Sequence, residues 1–385
     1  MQQAQQIAQA KRLLHYLDTR TTATEPEPYH QPTAEYTCPD HAGKEQRLLF
    51  REGPLCIGAS AQIRNPGDYF TDDMTGVPIL VARGRDGIAR AFLNVCRHRG
   101  AKVADGCGSS RSFVCPYHAW NYGLDGALVG RPEEYGFEGL DREHYGLTEL
   151  WCEERDGNIW VCPTPGKTYS VDNILGVEMN AEMAAYQFGD YHHYETKHLT
   201  RQMNWKVCVD TFLESYHFPV LHRNSIAPII HGNLNTADQI GSTVRMLGAR
   251  RTLADLQNRP ESEWDDVLRH LVGVYILFPN VVWTWQLDHI EIWHIYPSQA
   301  DPVNQCTMRI SFYTPEPAVT EKAKGHWDRN FALLMKTVEE EDFELSEQIQ
   351  QGFHSGAQNE IVFGRNEPCL HYFHRTVTER VAAGV

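Results

Sequence analysis

The chain has 385 residues, too many for one ordinary hydrophobic core, so two domains of unequal size are expected. With 42% hydrophobic and 22% charged residues, the composition is that of a globular protein and excludes a disordered or fibrous chain. The formal net charge of −15 argues against a nucleic-acid partner, because such a chain has no excess of cations to neutralise phosphates.

The amino-terminal residues and the cysteines bear on the compartment. The chain begins Met-Gln-Gln-Ala-Gln-Gln, without a basic segment followed by an apolar core, so no secretory signal is predicted. Apolar stretches such as 271–279 are far too short to span a bilayer. The ten cysteines are mostly isolated and do not form a disulfide scaffold. These features predict a protein of the reducing cytoplasm without a membrane association.

The first half of the chain changes from a helical pattern to a strand pattern. Apolar side chains recur at helical spacing in residues 1–18, which predicts a helix. A stretch rich in Thr, Glu and Pro at 21–32 then indicates a loop. From about 48 to 164, short apolar runs such as those beginning at Ile79 and Ile159 are divided by Gly, Asp and Pro. That pattern predicts a small all-β module.

The second half combines helices with β-rich runs. Helical periodicity predicts helices over 204–218 and 319–351. Between them, runs rich in β-branched and aromatic residues predict four strands, at 272–278, 281–287, 290–296 and 306–313. Asp288-His289 predicts a tight hairpin between the second and third of these strands. Strands followed by a long helix indicate an α+β domain, in which the helix packs on an antiparallel sheet.

Each of two predicted loops contains one cysteine and one histidine. Cys96-Arg-His98 is followed, after sixteen residues, by Cys115-Pro-Tyr-His118. Two thiolates and two imidazoles are the ligands of a Rieske [2Fe–2S] cluster. Zinc also binds two Cys and two His, but its usual motifs group the cysteines together and the histidines together. Because each loop here mixes the two residue types, the spacing favours the iron–sulfur cluster, with a structural zinc site as the alternative.

A second set of metal-ligating side chains occurs downstream. At helical spacing, Asp210, Glu214 and His217 share one face. His217 and His222 are five residues apart and would diverge on a regular helix, but Pro219 interrupts the helix and lets both turn toward one point. Two histidines and one carboxylate form the facial triad of non-haem Fe(II) oxygenases, which leaves coordination positions open for O₂ and substrate.

The carboxylate of this triad is assigned to the long carboxy-terminal helix. Its apolar stripe consists of Phe331, Met335, Val338, Leu345 and Ile349. Position 342 completes the series, and it is an aspartate. A carboxylate on a buried stripe is costly unless it is paired or binds a metal. Asp342 is therefore predicted as the third ligand, whereas Glu339, Glu340 and Glu341 are displaced from the stripe and are expected to face water.

Taken together, these motifs resemble those of one known family. Asn94-Val-Cys-Arg-His-Arg-Gly100, with Cys115-Pro-Tyr-His-Ala-Trp120, resembles the Rieske motif of ring-hydroxylating oxygenase α subunits. The segment from Asn204-Trp-Lys to Glu-Ser-Tyr-His-x₄-His resembles their iron-binding helix. Glu-Asp342-Phe-Glu-Leu-Ser-Glu resembles their carboxylate-ligand helix. The resemblance extends from about residue 45 to 375.

The resemblance implies both cofactors and their ligands. A Rieske [2Fe–2S] cluster would be bound by Cys96, His98, Cys115 and His118. A mononuclear Fe(II) would be bound by His217, His222 and Asp342. The carboxylate of Glu214 would hydrogen-bond His217 in its own chain and His118 of a neighbouring subunit, which implies a homotrimer, with a β subunit in some relatives.

The resemblance also implies the domain organisation. A helical segment at 1–45 would pack on the catalytic domain, an all-β Rieske domain would occupy 46–165, and a helix-grip type catalytic domain would occupy 166–385. The chain has no Gly-rich dinucleotide fingerprint, so a separate NAD(P)H-dependent reductase or ferredoxin is expected to supply electrons.

The function implied is that of a terminal oxygenase that hydroxylates a small organic substrate, by mono- or dioxygenation. An aromatic or cyclic substrate is expected first. Trp283 and Trp285 alternate on one face of a strand, which fits either the hydrophobic core, the favoured interpretation, or the pocket wall. Glu214 stands where many relatives have Asp, and Thr211 stands where aromatic-ring members often have Asn. These departures weaken the case for an arene substrate and leave the general chemistry intact. The alternative is an oxygenase of a methylated amine or betaine. A third reading is a Rieske electron-transfer protein without catalysis.

Overall fold

The computed structural model describes residues 1–384, which divide into two compact units. The larger unit contains residues 1–46, 174–187 and 191–384, and the smaller unit contains residues 47–173 and 188–190. Two helices, Pro39–Leu48 and Val171–Ala184, continue in sequence across these limits. Within residues 1–384, none of the helices has the length and apolar character needed to cross a bilayer.

The smaller unit is the all-β module that the short apolar runs predict. Its five-stranded antiparallel sheet has the order Glu149–Leu150, Ala89–Leu93, Ile79–Arg83, Asp68–Asp72 and Cys107–Ser109. Two three-stranded sheets consist of Cys152–Arg155, Asn158–Val161 and Leu55–Ala59, and of Phe113–Val114, Asn121–Tyr122 and Leu128–Gly130. Short 3₁₀ helices are Ser60–Gln62, Glu134–Phe137, Arg142–Tyr145 and Phe188–Asp190. Cys96 and Cys115 belong to its hydrophobic core, together with Phe92, Trp120 and Tyr122.

A seven-stranded antiparallel sheet forms the centre of the larger unit. Its strand order is His192–Arg201, Cys306–Thr314, Ile290–Pro297, Val281–Trp285, Leu271–Leu277, Thr243–Arg250 and Ile230–Ile240. The four predicted strands are confirmed as neighbours in this sheet, and the hairpin at Asp288-His289 joins two of them. The other three strands escaped prediction because polar and charged residues interrupt their apolar pattern. A two-stranded ribbon pairs Tyr29–Pro32 with Glu360–Phe363.

Helices surround this sheet. The α-helices that lie entirely within the larger unit are Gln3–Thr19, Ala34–Thr37, Trp205–Asp210, Glu321–Lys336, Phe343–His354 and Pro368–Ala383. The 3₁₀ helices are Arg251–Asn258, Glu261–Glu263 and Val267–His270. The amino-terminal helix is confirmed, and it buries Leu13 and Leu14 against Leu253, Leu256 and Trp264. It therefore belongs to the core of the larger unit.

Two predicted helices differ from the observed ones. The predicted helix 204–218 is wrong beyond Asp210, where the observed helix ends and a series of turns begins. In these turns the Glu214 carboxylate accepts hydrogen bonds from the backbone N–H groups of Tyr216 and His217, which replaces helical bonding. The long carboxy-terminal helix is interrupted by a π-helical turn at Thr337–Asp342.

Candidate metal centres and substrate cavity

The two Cys/His loops of the smaller unit share one backbone pattern. In each loop the cysteine N–H donates to the carbonyl five residues later, Ala101 or Trp120, at 2.8 Å. The N–H four residues later donates back to the cysteine carbonyl, at 2.9 Å from Gly100 and 3.0 Å from Ala119. Gly100 and Ala119 have φ values of 81° and 57°, which close the two turns. The same loop geometry therefore occurs twice, as a site held between two equivalent loops requires.

The four side chains of these loops are grouped by residue type, with the two thiols together and the two imidazoles together. The thiols of Cys96 and Cys115 are buried and hydrogen-bond to each other, and burial raises the pKa of Cys115. The rings of His98 and His118 are half-buried, with centroids 4.6 Å apart. Nδ1 of His98 is buried and has no hydrogen-bond partner in residues 1–384. This arrangement fits a Rieske cluster, in which one iron has thiolate ligands and the other has imidazole ligands.

Aromatic side chains fix the cluster loops. The indole of Trp120 stacks on His98, with centroids 5.1 Å apart and planes 9° apart. The hydroxyl of Tyr122 lies 3.2 Å from Sγ of Cys96 and accepts a hydrogen bond from the Arg97 N–H at 3.0 Å. A hydroxyl next to a thiolate sulfur is one of the means by which proteins tune an iron–sulfur potential.

In the larger unit, His217, His222 and Asp342 converge on one point. Nε2 of His217 and Nε2 of His222 are 3.1 Å apart. Oδ1 of Asp342 lies 3.0 Å from Nε2 of His222 and 3.5 Å from Nε2 of His217. Together the three residues offer ligand atoms within 4.8 Å of one another. Two imidazole nitrogens and one carboxylate oxygen are the donors that a non-haem iron requires.

Each histidine of this triad has a carboxylate on its other ring nitrogen. Glu214 hydrogen-bonds Nδ1 of His217. Oε2 of Glu341 lies 2.5 Å from Nδ1 of His222 and accepts a hydrogen bond from the Ser225 hydroxyl at 2.7 Å. Although burial opposes it, the hydrogen bonds with His222 and Ser225 lower the pKa of Glu341. Such partners fix the orientation of an imidazole, so that Nε2 points at the metal.

The π-helical turn explains why Glu341 was wrongly expected to face water. One extra residue in the turn shifts the buried face downstream, where Phe343, Ser346, Gln350 and Phe353 are buried and Leu345 and Ile349 are exposed. The predicted continuation of the apolar stripe through Leu345 and Ile349 is therefore wrong, although the buried position of Asp342 is confirmed. No periodic signal could have revealed Glu341 or Ser225.

Asp210 does not join this site through its carboxylate. Oδ1 of Asp210 lies 2.7 Å from Nε2 of His374, and Oδ2 accepts a hydrogen bond from the Tyr36 hydroxyl at 2.9 Å. The sequence places Asp210 on one face with Glu214 and His217, but the early end of the helix separates it from them.

A small cavity of about 120 Å³ lies between the triad and the sheet. Most of its wall is apolar, contributed by Phe212, Ile226, Met246, Val272, Val274, Leu334 and Val338. Thr284, Gln286 and Glu291 supply polar groups from two strands of the sheet. Within residues 1–384, no lysine or arginine is among the cavity-lining side chains. A cavity of this size and character suits a small substrate without a negative charge.

The two tryptophans considered for the pocket wall lie in the core. Trp283 and Trp285 are buried on the opposite face of their strand, where their rings lie 5.0 and 6.2 Å from the ring of Tyr186. Thr284, between them on that strand, lines the cavity. The two tryptophans are core residues, as the favoured interpretation of the sequence predicts, and they do not line the cavity.

Two family models match the chain, one in each half. The model described as "Rieske [2Fe-2S] domain" matches residues 53–139, and the model described as "Ring hydroxylating alpha subunit (catalytic domain)" matches residues 188–383. The second match contains His217, His222 and Asp342, and the first contains both Cys/His loops.

Known proteins resemble the chain over most of its length. Choline monooxygenase of Beta vulgaris is 28% identical over 353 residues, which are 89% of this chain and 75% of that protein. The solved structure of a quaternary ammonium Rieske monooxygenase, CntA, in complex with L-carnitine superposes with a TM-score of 0.78 at 20% identity, over 92% of this chain and 97% of that one. A naphthalene 1,2-dioxygenase variant bound to phenanthrene gives 0.73 at 20% identity, over 94% of each chain.

Proposed function

The chain belongs to the family of ring-hydroxylating Rieske oxygenase α subunits, and from this we propose that it oxidises a small methylated amine that carries no carboxylate. Members of the family are non-haem iron oxygenases that use O₂ and electrons from a separate reductase or ferredoxin. The observation on which the proposal depends is the convergence of His217, His222 and Asp342 at the wall of an apolar cavity.

Cys96, Cys115, His98 and His118 are the proposed ligands of the [2Fe–2S] cluster. The paired thiols, the paired imidazoles and the unpartnered Nδ1 of His98 support this assignment. A zinc ion would draw all four donors to a single atom, whereas here the donors are grouped two by two. The cluster supplies single electrons at a raised potential when it is bound.

His217, His222 and Asp342 are the proposed ligands of the mononuclear iron, which supplies O₂ activation when bound. Glu214 and Glu341 hold the two imidazoles by Nδ1 and leave Nε2 free for the metal. Ser225 in turn orients Glu341. The apolar side chains of the cavity exclude bulk water and hold the substrate beside the triad.

The charges around the cavity support an amine and argue against a carboxylate. A substrate carboxylate would meet no lysine or arginine among the described lining residues, while Glu214, Glu291 and Asp342 would repel it. A quaternary ammonium carries the opposite charge and can also contact the faces of Phe212 and Phe218. The Beta vulgaris relative is named for choline, which is a substrate of this kind.

An uncharged aromatic or cyclic compound is the second candidate. The predominantly apolar wall of the cavity favours it, and the structural relative bound to phenanthrene shows that the fold admits such ligands in that protein. A volume of about 120 Å³ restricts this candidate to a single small ring.

We also propose a homotrimer in which electrons pass between subunits. A groove of about 330 Å³ has Glu214 and His217 in its wall, together with the exposed side chains of Leu345, Ile349 and Val362. Exposed apolar side chains around a charged catalytic group are typical of a surface that another subunit covers. In the smaller unit Tyr117, beside His118, is also exposed.

The proposed compartment is the cytoplasm, whose reducing conditions keep cysteines from forming disulfides.

Iron analysis and O₂ uptake test the function. The protein reconstituted with iron should contain about three iron atoms per chain, two in the cluster and one in the triad. With a generic reductase, choline should stimulate O₂ uptake more than its uncharged isostere 3,3-dimethylbutan-1-ol, and benzoate should have no effect. Stimulation by toluene but not by any methylated amine would favour the second candidate. A protein with two irons that never consumes O₂ would contradict both.

A further inference from the structure

A continuous row of titratable side chains connects the cavity with the protein surface. Oε1 of Glu291, at the cavity wall, lies 3.1 Å from Nε2 of His289. Nδ1 of His289 lies 2.8 Å from Oδ1 of Asp288, and Oδ2 of Asp288 lies 2.8 Å from Nε2 of His326. Every link is within hydrogen-bonding distance. The row crosses from the sheet hairpin to the helix Glu321–Lys336 without a gap.

Exposure to solvent increases along this row. The side chains of Glu291 and His289 are 5% and 8% exposed, whereas those of Asp288 and His326 are 38% and 46% exposed. The ring of His289 stacks on Phe312 with centroids 4.4 Å apart and planes 22° apart, which holds it between its two carboxylates. The row therefore begins at a buried carboxyl group in the cavity wall and ends at a solvent-exposed imidazole.

The charges around His289 favour its protonated form. Burial alone would lower the pKa of His289, but hydrogen bonds with Asp288 and Glu291 raise it above the usual 6.5. Arg250, at the end of the strand Thr243–Arg250, interacts electrostatically with both carboxylates and donates to Oε1 of Gln286 at 2.9 Å. Tyr191 also lies near Asp288. The cationic imidazole of His289 therefore lies within hydrogen-bonding distance of both carboxyl groups.

The reaction of an oxygenase consumes protons inside this cavity. In a monooxygenation, substrate–H, O₂, two electrons and two protons give substrate–OH and one water. The family reaction supplies O₂ and the electrons, but the protons must reach a small cavity whose wall is mostly apolar. Apart from Asp342 and Glu214, which belong to the metal site, Glu291 is the one carboxylic side chain of the described cavity wall.

We propose that His326, Asp288, His289 and Glu291 form the path by which protons enter the cavity during turnover, an inference that depends on the proposed oxygenase function. Glu291 takes the Nε2 proton of protonated His289 and passes it to the reaction, which leaves His289 neutral with its remaining proton on Nδ1. Tautomerisation moves that proton to Nε2, and Nδ1 then takes a new proton from Asp288, which is recharged by His326 from solvent. His289 is then protonated on both ring nitrogens, as at the start. No bond between heavy atoms changes along the path.

Glu291→Gln tests the inner end of the path. Glutamine keeps the size and the hydrogen-bond acceptor but cannot carry a proton. The variant should bind substrate with an unchanged KM and lose about 100-fold in kcat, the scale of general acid catalysis, and its solvent deuterium isotope effect should increase. Glu360→Gln is the matched control, because Glu360 also hydrogen-bonds a histidine ring nitrogen, Nδ1 of His30 at 2.6 Å, but on the exposed ribbon. It should match the wild type.

His326→Ala tests the outer end without disturbing the core. Its kcat should fall, and added imidazole should restore it, as expected when a small acid replaces a missing proton donor. Metal-free protein gives a readout independent of turnover. In nitrogen-15 histidine NMR, His289 should titrate above pH 6.5 in the wild type and at lower pH in Glu291→Gln.

Three results would overturn the path. One is a Glu291→Gln enzyme with wild-type kcat and isotope effect. The second is a variant whose KM rises for choline but not for 3,3-dimethylbutan-1-ol with kcat unchanged, which would make Glu291 a contact for the substrate cation. The third is loss of kcat in His326→Ala that imidazole does not restore. A wild-type protein that consumes no O₂ with any substrate would overturn the proposed function itself.

Discussion

Oε2 of Glu341 lies 2.5 Å from Nδ1 of His222, and this contact gives the second histidine of the triad the same support that Glu214 gives to His217. Both imidazoles therefore present Nε2 to the same point, next to Oδ1 of Asp342. The two supporting carboxylates come from different elements, one from the turns after the helix Trp205–Asp210 and the other from the π-helical turn.

Glu341→Gln should weaken iron binding without removing a ligand. Glutamine can still contact Nδ1 of His222, but it no longer offers a negative charge to the imidazole. We expect the iron dissociation constant of the triad to rise about 10- to 100-fold, the range seen when such partners are lost. The measurement is iron retention during dialysis against a chelator. Glu344→Gln, an exposed carboxylate on the next turn, should leave retention unchanged.

Asp342→Ala should remove the mononuclear iron and spare the cluster. The iron content should fall from about three to about two atoms per chain, with the visible spectrum of the cluster unchanged. Product formation should decrease at least 100-fold, because the remaining two histidines do not complete the triad. Glu340→Ala, which removes an exposed carboxylate two positions away, is the control. Retention of three irons and of turnover by Asp342→Ala would disprove the ligand assignment.

Glu214→Gln should keep both metals and slow electron delivery. The carboxylate hydrogen-bonds Nδ1 of His217 and lies in the wall of the exposed groove, where the proposed trimer places a neighbouring cluster. Stopped-flow absorbance of the prereduced protein, mixed with O₂ and substrate, reports reoxidation of the cluster. We expect reoxidation to be slowed about tenfold or more, because a mediating hydrogen bond is weakened. An unchanged reoxidation rate of the cluster would show that Glu214 has no part in electron transfer.

Glu45→Gln should destabilise the larger unit in a pH-dependent manner. Glu45 is buried, lies 2.6 Å from Nζ of Lys206 and accepts a hydrogen bond from Nε1 of Trp205 at 2.9 Å. Its loss leaves a buried ammonium unpaired, which costs about 3–5 kcal/mol of unfolding free energy. Glu321→Gln, which breaks an exposed pair with Lys324, should change it by less than about 1 kcal/mol.

The sign of the pH dependence follows from the pKa of Glu45. Burial would raise that pKa, but Lys206 and His41 outweigh burial and lower it below the usual 4.5. The stabilisation is therefore complete above pH 4.5 and is lost as the pH falls through the lower pKa of the folded state. Urea unfolding at several pH values should show the difference between wild type and variant narrowing in acid.

The sequence predicts the chemistry of the sites better than their supporting structure. Cys96, His98, Cys115 and His118 stand out because ligand types recur at close spacing, and Asp342 stands out because a carboxylate interrupts an apolar stripe. The partners of these residues give no such signal. Glu341 is one of four consecutive acidic residues, and only the π-helical turn distinguishes it from Glu340, which is exposed.

In the fold, too, only elements with a clear pattern in the sequence are predictable. Strands with continuous apolar runs, such as Leu271–Leu277, are predictable because both faces are buried. His192–Arg201 and Ile230–Ile240 are not, because they lie at the edges of the sheet and carry polar residues on their less buried faces. The helix after Asn204 was predicted too long because its periodicity continues into residues whose backbone N–H groups bond to the Glu214 side chain.

The π-helical turn at Thr337–Asp342 is needed for activity, but it is expected to make the protein less thermally stable. Two adjacent acidic residues both point inward there, which a regular α-helix forbids because neighbours on it diverge by about 100°. Deleting one residue from this turn would restore uninterrupted α-helical bonding, yet it would rotate one of the two carboxylates away from its histidine. Directed evolution for thermal stability alone is therefore expected to convert this turn into a regular α-helix and to yield a more stable but inactive protein.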